Sequence, residues 1–63
     1  MSDEHSSSLQ GAAAEYRDLA GRLRELARTC IYPGSRRSLL RLAGSFERRA
    51  AHLDSRAARE DAP

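Results

Sequence analysis

The fold is decided by residues 30–35, CIYPGS, which hold the only cysteine of the chain and its only Pro-Gly pair. The sequence on both sides is rich in alanine, leucine and arginine, with helical periodicity. Proline disfavours helical dihedrals at the residue before it and fits well at the first position of a new helix. Residues 31–35 are therefore predicted to form the bend of an antiparallel helical hairpin.

A first helix is predicted over about residues 9–30, because the apolar residues there repeat with a seven-residue period. With Tyr16 at heptad position a, no charged residue occupies any a, d or e position between Leu9 and Cys30. A stripe of three positions in seven is typical of a helix that packs in a bundle. These positions are Leu9, Tyr16, Leu23 and Cys30 at a, Ala12, Leu19 and Leu26 at d, and Ala13, Ala20 and Ala27 at e. Alanine at every e position should let a neighbouring helix approach closely on that flank.

A second helix is predicted over about residues 35–59, with its start either at Pro33 or at Arg36 with Ser35 as cap. It repeats the layout with Leu39, Phe46 and Leu53 at a, Leu42, Arg49 and Arg56 at d, and Ala43, Ala50 and Ala57 at e. Its second half is less apolar than its first, since arginine replaces leucine at d. Residues 1–8 are predicted to be a disordered acidic and serine-rich tail, and residues 60–63 a frayed tail.

Antiparallel pairing is expected to bring Leu23 and Leu26 against Leu39 and Leu42. The same pairing sets Leu19 opposite Phe46 and Tyr16 opposite Ala50. A chain of 63 residues is near the lower limit for a self-sufficient core, and each helix of a hairpin covers only one side of its neighbour. The predicted fold is therefore an all-α two-helix hairpin that dimerises into a four-helix bundle. The residues expected to form the core and the self-association surface are Tyr16, Leu19, Ala20, Leu23, Leu26, Ala27, Leu39, Leu42, Ala43, Phe46, Ala50 and Leu53.

The sequence offers little chemistry. No spacing of cysteine and histidine suggests zinc, and no set of nucleophile and base is apparent, so we expect neither an enzyme nor a cofactor, metal or small-molecule substrate. Cys30 is expected to be a buried structural thiol, with an intermolecular disulfide or a redox switch as the alternatives. His52 is expected at the surface or an interface. No segment has the length and apolarity of a signal peptide core or a membrane span, which predicts a cytoplasmic protein without membrane contact.

The charge is unevenly distributed. All eleven basic residues are arginine, and the net charge of the chain is +2. The second helix carries seven arginines against Glu47 and Asp54, whereas the first has four arginines against three acids. The favoured function is a self-associating interaction module, or one that docks on another protein. The alternative is a small nucleic-acid-binding regulator that uses the second helix through Arg37, Arg41 and Arg48.

Two runs of sequence also carry a resemblance. They are Tyr16-Arg17-x-Leu19-Ala20-x-x-Leu23-Arg24-x-Leu26-Ala27 and Arg36-Arg37-x-Leu39-Leu40-x-Leu42-Ala43-x-x-Phe46-Glu47-Arg48-x-Ala50. This pattern, over roughly residues 15–53, resembles small uncharacterised helical-hairpin proteins of alphaproteobacteria. Tyr32 stands where that family often has an aspartate cap. The resemblance implies a single hairpin and no known activity.

Overall fold

The chain forms two α-helices joined by a short bend. The structure, a computed structural model, describes the backbone of residues 2–61 and the side chains of residues 7–60. Helix α1 spans Ser2–Thr29 and helix α2 spans Pro33–Asp61, and the two pack against each other along their length. The resulting rod measures 49 × 13 × 9 Å between Cα atoms. The predicted all-α hairpin is confirmed for the described residues.

Both helices are longer than the sequence predicts. Helix α1 begins at Ser2, so residues 2–8 are helical where a disordered tail is expected, and helix α2 continues through Glu60 and Asp61. Once a helix is nucleated, each added residue gains a hydrogen bond at small cost. Gly11 lowers helix stability by about 1 kcal/mol relative to alanine, which is too little to end a helix that alanine continues. The last two residues of the predicted frayed tail, 62 and 63, lie outside the described residues.

The bend consists of residues 30–32 and is held by hydrogen bonds from both helix ends. The Arg36 N–H donates to the Tyr32 carbonyl over 2.9 Å, so helix α2 starts at Pro33, the earlier of the two predicted starts. The Arg36 guanidinium donates to the Cys30 carbonyl over 2.7 Å, and the Cys30 N–H donates to the Ala27 carbonyl over 3.3 Å. These bonds satisfy backbone groups that helix ends leave without intrahelical partners.

Alanine fills the centre of the contact between the helices. The six e-position alanines are at most 2% exposed, and Leu9, at 9%, is the other buried hydrophobic residue among those whose side chains are described. Because a methyl group is small, two helices centred on alanine can come closer together than two centred on leucine. We call this contact the alanine seam; it consists of Ala13, Ala20 and Ala27 of α1 and Ala43, Ala50 and Ala57 of α2.

The leucines at position d lie outside the seam. Leu19, Leu26 and Leu42 are 41%, 57% and 46% exposed, whereas the sequence predicts that all three pack between the helices. Positions d and e are consecutive, so they are separated by about 100° around the helix axis. When the e residues take the centre of the contact, the d residues must turn toward solvent.

The a residues line one edge of the seam; Leu9 is buried, and the others are half-buried. Tyr16 and Phe46 stack there, with ring centroids 5.6 Å apart and an angle of 27° between the ring planes. The pairing expected from the sequence set Tyr16 opposite Ala50 and Phe46 opposite Leu19. The observed stacking follows from the same rotation, since it brings position a of one helix next to position a of the other.

Candidate functional site

One side of the hairpin carries an exposed apolar surface on its bend half. Leu19 and Leu26 of α1 and Leu42 of α2 are exposed on this side. Leu23, Leu39 and Phe46 lie beside them at the edge of the seam and are half-buried. We call these six residues the leucine face. Both helices contribute equally to it, so it is a property of the hairpin and of neither helix alone.

The same side becomes basic toward the open end of the hairpin, because Arg49 and Arg56 occupy position d there. The Arg49 guanidinium lies over the Tyr16 ring, with its central carbon 5.7 Å from the ring centroid, an arrangement typical of a cation–π contact. Arg56 lies 3.9 Å from the Glu60 carboxylate. A shallow open groove runs between these side chains, lined on α2 by Ser45, Arg48, Arg49, His52, Leu53 and Arg56. The leucine face therefore ends where this basic groove begins.

Ion pairs between the helices lie on the opposite edge of the seam. The Arg17 guanidinium contacts the Asp54 carboxylate over 2.6 Å, and Arg24 contacts the Glu47 carboxylate. All four residues occupy heptad position b and are about half exposed. Exposed pairs of this kind contribute little to stability, but both pairs are broken when one helix slides along the other. The two pairs thus favour the observed alignment of α1 on α2.

These cross-helix pairs leave α2 with arginines that no carboxylate balances. On α1, Arg22 pairs with Asp18 over 3.1 Å and Arg28 with Glu25 over 3.0 Å. On α2, the two acids before residue 60 both face α1, in the pairs with Arg17 and Arg24. Among residues 7–60, six exposed arginines of α2 have no carboxylate within ion-pair distance; Arg36 is engaged with the Cys30 carbonyl at the bend, which leaves five. We call them the arginine stripe; they are Arg37, Arg41, Arg48, Arg49 and Arg59.

Three of these, Arg37, Arg41 and Arg48, are the candidate nucleic-acid residues of the sequence analysis. Arg49 and Arg59 were missed. Their signal is present in the sequence, because Glu47 and Asp54 share heptad position b while Arg49 and Arg59 are at d and g. A helical wheel of the charged residues separates the two acids from these two arginines.

The residues predicted for self-association fall into three groups of different exposure. Ala20, Ala27, Ala43 and Ala50 are buried in the alanine seam. The a residues Tyr16, Leu23, Leu39, Phe46 and Leu53 are half-buried. Leu19, Leu26 and Leu42 are exposed and thus accessible to a second molecule. Leu40, at 40% exposure, is equally accessible but lies on the opposite side of the hairpin, beside Arg24, Arg28 and Arg36.

Cys30 lies at the bend and His52 lies on α2. The Cys30 side chain is half-buried at the bend, where its thiol donates to the Tyr32 carbonyl over 3.5 Å. His52 is exposed at the edge of the basic groove. Within the described part of the chain, no group of three histidine, cysteine, aspartate or glutamate residues could hold a metal ion.

No family model, curated protein or solved structure matches this chain. Neither described helix combines the length and the apolarity that crossing a membrane would require.

Proposed function

We propose that the chain is a protein–protein interaction module that self-associates through the leucine face, so that two hairpins form a four-helix bundle. The observation that carries this proposal is the exposure of Leu19, Leu26 and Leu42 on one side of the hairpin. Scattered single leucines are normal on protein surfaces, but a contiguous apolar patch built by two helices is a typical interaction site.

The composition of the seam supports the proposal. Burying an alanine methyl group contributes about 0.8 kcal/mol, whereas burying a leucine side chain contributes about 1.5–3 kcal/mol. The hairpin buries six alanines and leaves four leucines exposed, three of them on the leucine face, and none of its described large side chains is fully buried. A lone hairpin thus has little hydrophobic stabilisation, and a second molecule on the leucine face would supply the larger part of it.

A second copy of the chain is the occupant that the leucine face fits best. A two-fold axis brings the same patch of each copy together, so a surface that is apolar on both helices is automatically complementary to itself. Arg49 and Arg56 interrupt the apolar surface in the open half. When two hairpins pack with their bends at the same end of the bundle, the leucines of one leucine face lie against those of the other. The reverse arrangement would set those arginines against Leu26 and Leu42 and remove charge from water.

The test is the molar mass in solution, measured by size-exclusion chromatography with light scattering and by sedimentation at micromolar concentration. We expect twice the chain mass of 7.0 kDa for the natural sequence. The single substitution Leu26→Gln should shift the equilibrium toward monomer and lower the temperature of unfolding at a fixed concentration, because it acts in both copies. Leu40→Gln is the matched control, since Leu40 is similarly exposed on the other side.

Three results would contradict the proposal. The first is a natural chain that is a stably folded monomer at micromolar concentration by circular dichroism and light scattering. The second is a dimer that Leu40→Gln weakens as much as Leu26→Gln does. The third is a monomer that becomes helical and stable only with a protein of different sequence, which would assign the leucine face to that partner.

A further inference from the structure

We infer that the arginine stripe of α2 binds the phosphate backbone of double-stranded nucleic acid. This inference does not require self-association, and of the stripe residues only Arg49 occupies heptad position d, on the side of the hairpin that carries the leucine face. It rests on how the hairpin distributes its charges, on the length of the stripe and on the side chains that lie next to it.

Ion pairs between the helices hold the acids of α2 away from most of its arginines. Glu47 and Asp54 of α2 are drawn to the seam edge by Arg24 and Arg17 of α1. Arg36 is engaged with the Cys30 carbonyl at the bend. The remaining outward surface of α2 between residues 37 and 49 therefore has arginines without neighbouring acids, and Arg59 continues it next to Glu60. An unbalanced row of positive charge is the electrostatic feature that phosphate backbones recognise.

The stripe has the dimensions of a duplex contact. From Arg37 to Arg59 it extends over roughly 33 Å at 1.5 Å per residue. That length is close to one turn of B-form DNA, about 34–36 Å. Four of the five arginines lie within about 40° of one another around one continuous helix and form a row, whereas Arg49 points toward Tyr16. The Arg48 guanidinium is further held by donating to the Ser45 hydroxyl over 3.1 Å. The planar guanidinium also matches phosphate oxygens by paired hydrogen bonds.

The neighbouring side chains favour a duplex over a single strand. Binding of single strands combines charge with aromatic side chains on which successive bases stack. Tyr16 and Phe46 are already stacked on each other at the seam edge and are half-buried. The exposed Tyr32 lies at the bend, beyond the end of the stripe. Phosphate contacts without base stacking predict binding that depends on salt and little on sequence.

The test is fluorescence anisotropy with a labelled duplex of about 20 base pairs, two helical turns long. Duplex DNA, duplex RNA and single-stranded oligo-dT are titrated with the chain between about 50 and 200 mM salt. Arg41→Gln/Arg48→Gln removes two charges from the stripe. Arg22→Gln/Arg28→Gln removes two exposed arginines that are paired with acids on α1, so both variants change the net charge equally.

We expect the natural chain to bind at least one duplex more tightly than the single strand. Arg41→Gln/Arg48→Gln should weaken duplex binding roughly tenfold or more at low salt and reduce the slope of log affinity against log salt by about 2. The α1 control should change the affinity less than about threefold, since the paired arginines are already balanced by carboxylates. The helix content of both variants, measured by circular dichroism, should equal that of the natural chain.

Four outcomes would overturn the inference. These are absence of duplex binding at low salt, equal weakening by both double variants, tighter binding of oligo-dT than of either duplex, and binding to anionic phospholipid vesicles without binding to nucleic acid. The second would mean that net charge alone drives association. The last would assign the stripe to a lipid surface.

Discussion

The alanine seam and the leucine face occupy consecutive heptad positions, yet one is buried and the other exposed. The e alanines are at most 2% exposed, whereas the d leucines of the leucine face are 41–57% exposed. In both helices the smaller residue lies between the helices and the larger residue lies outside. The difference indicates that the hairpin is held by close approach of two backbones, and that its most hydrophobic side chains remain available for another molecule.

This division separates two tasks along the same apolar stripe. The seam determines how α1 lies on α2, with help from the Arg17–Asp54 and Arg24–Glu47 pairs on one edge and the Tyr16–Phe46 stack on the other. The exposed leucines of the leucine face contribute little inside the hairpin and are accessible to a second molecule. Substitutions at neighbouring positions should therefore have different consequences, and the following experiments use that contrast.

The largest effect on stability is expected from Ala50→Leu, which inserts a bulky side chain into the seam. Ala50 is 1% exposed, so the two helices must separate or shift. Overpacking of this kind typically lowers the free energy of unfolding by about 1–3 kcal/mol. Chemical denaturation at a fixed protein concentration measures the change. Ala51→Leu is the control, because Ala51 is the next residue and is exposed. Equal effects of the two substitutions would mean that the seam is not closely packed.

A smaller effect is expected from Asp54→Asn, which removes the carboxylate that pairs with Arg17 at the seam edge. Because both side chains are about half exposed, the loss should be below about 1 kcal/mol. It should also shrink as salt is added, since salt screens exposed charges. Asp18→Asn, which breaks a pair within α1, serves as a comparison for the same chemistry. A loss of several kcal/mol that salt does not change would show that the charges, more than the alanines, hold the helices together.

The sequence predicts the hairpin well, because its signals are local. Pro33 fixes the start of α2, the seven-residue period gives both helices, and the alanine flanks are visible as a repeat. The rotation of each helix is not local. Positions a, d and e are all uncharged in α1, so the contact can be centred on Leu19 or on Ala20. The sequence alone does not show which of two contributions to the free energy of folding is larger, the close approach of the backbones or the burial of the leucines.

Prediction of the candidate site from the sequence is limited by the same unknown rotation of the helices. Leu19, Leu26 and Leu42 are identified from the period, but whether they face α1, α2 or solvent depends on that rotation. The arginine stripe is partly recovered, since Arg37, Arg41 and Arg48 stand out by charge count. Its full extent depends on which acids are engaged elsewhere, and the pairing of Glu47 with Arg24 is a contact between distant parts of the chain.

The division between seam and face can be measured directly by isotope-filtered NMR on a sample that mixes labelled and unlabelled chains. Nuclear Overhauser effects between copies should connect the methyl groups of Leu19, Leu26 and Leu42, with Leu26 near Leu42 of the second copy. The methyl groups of Ala20, Ala43 and Ala50 should show nuclear Overhauser effects to residues of their own chain and none to the second copy. Intermolecular effects at the seam alanines, with the three leucines silent, would contradict the proposal that the leucine face is the surface of association.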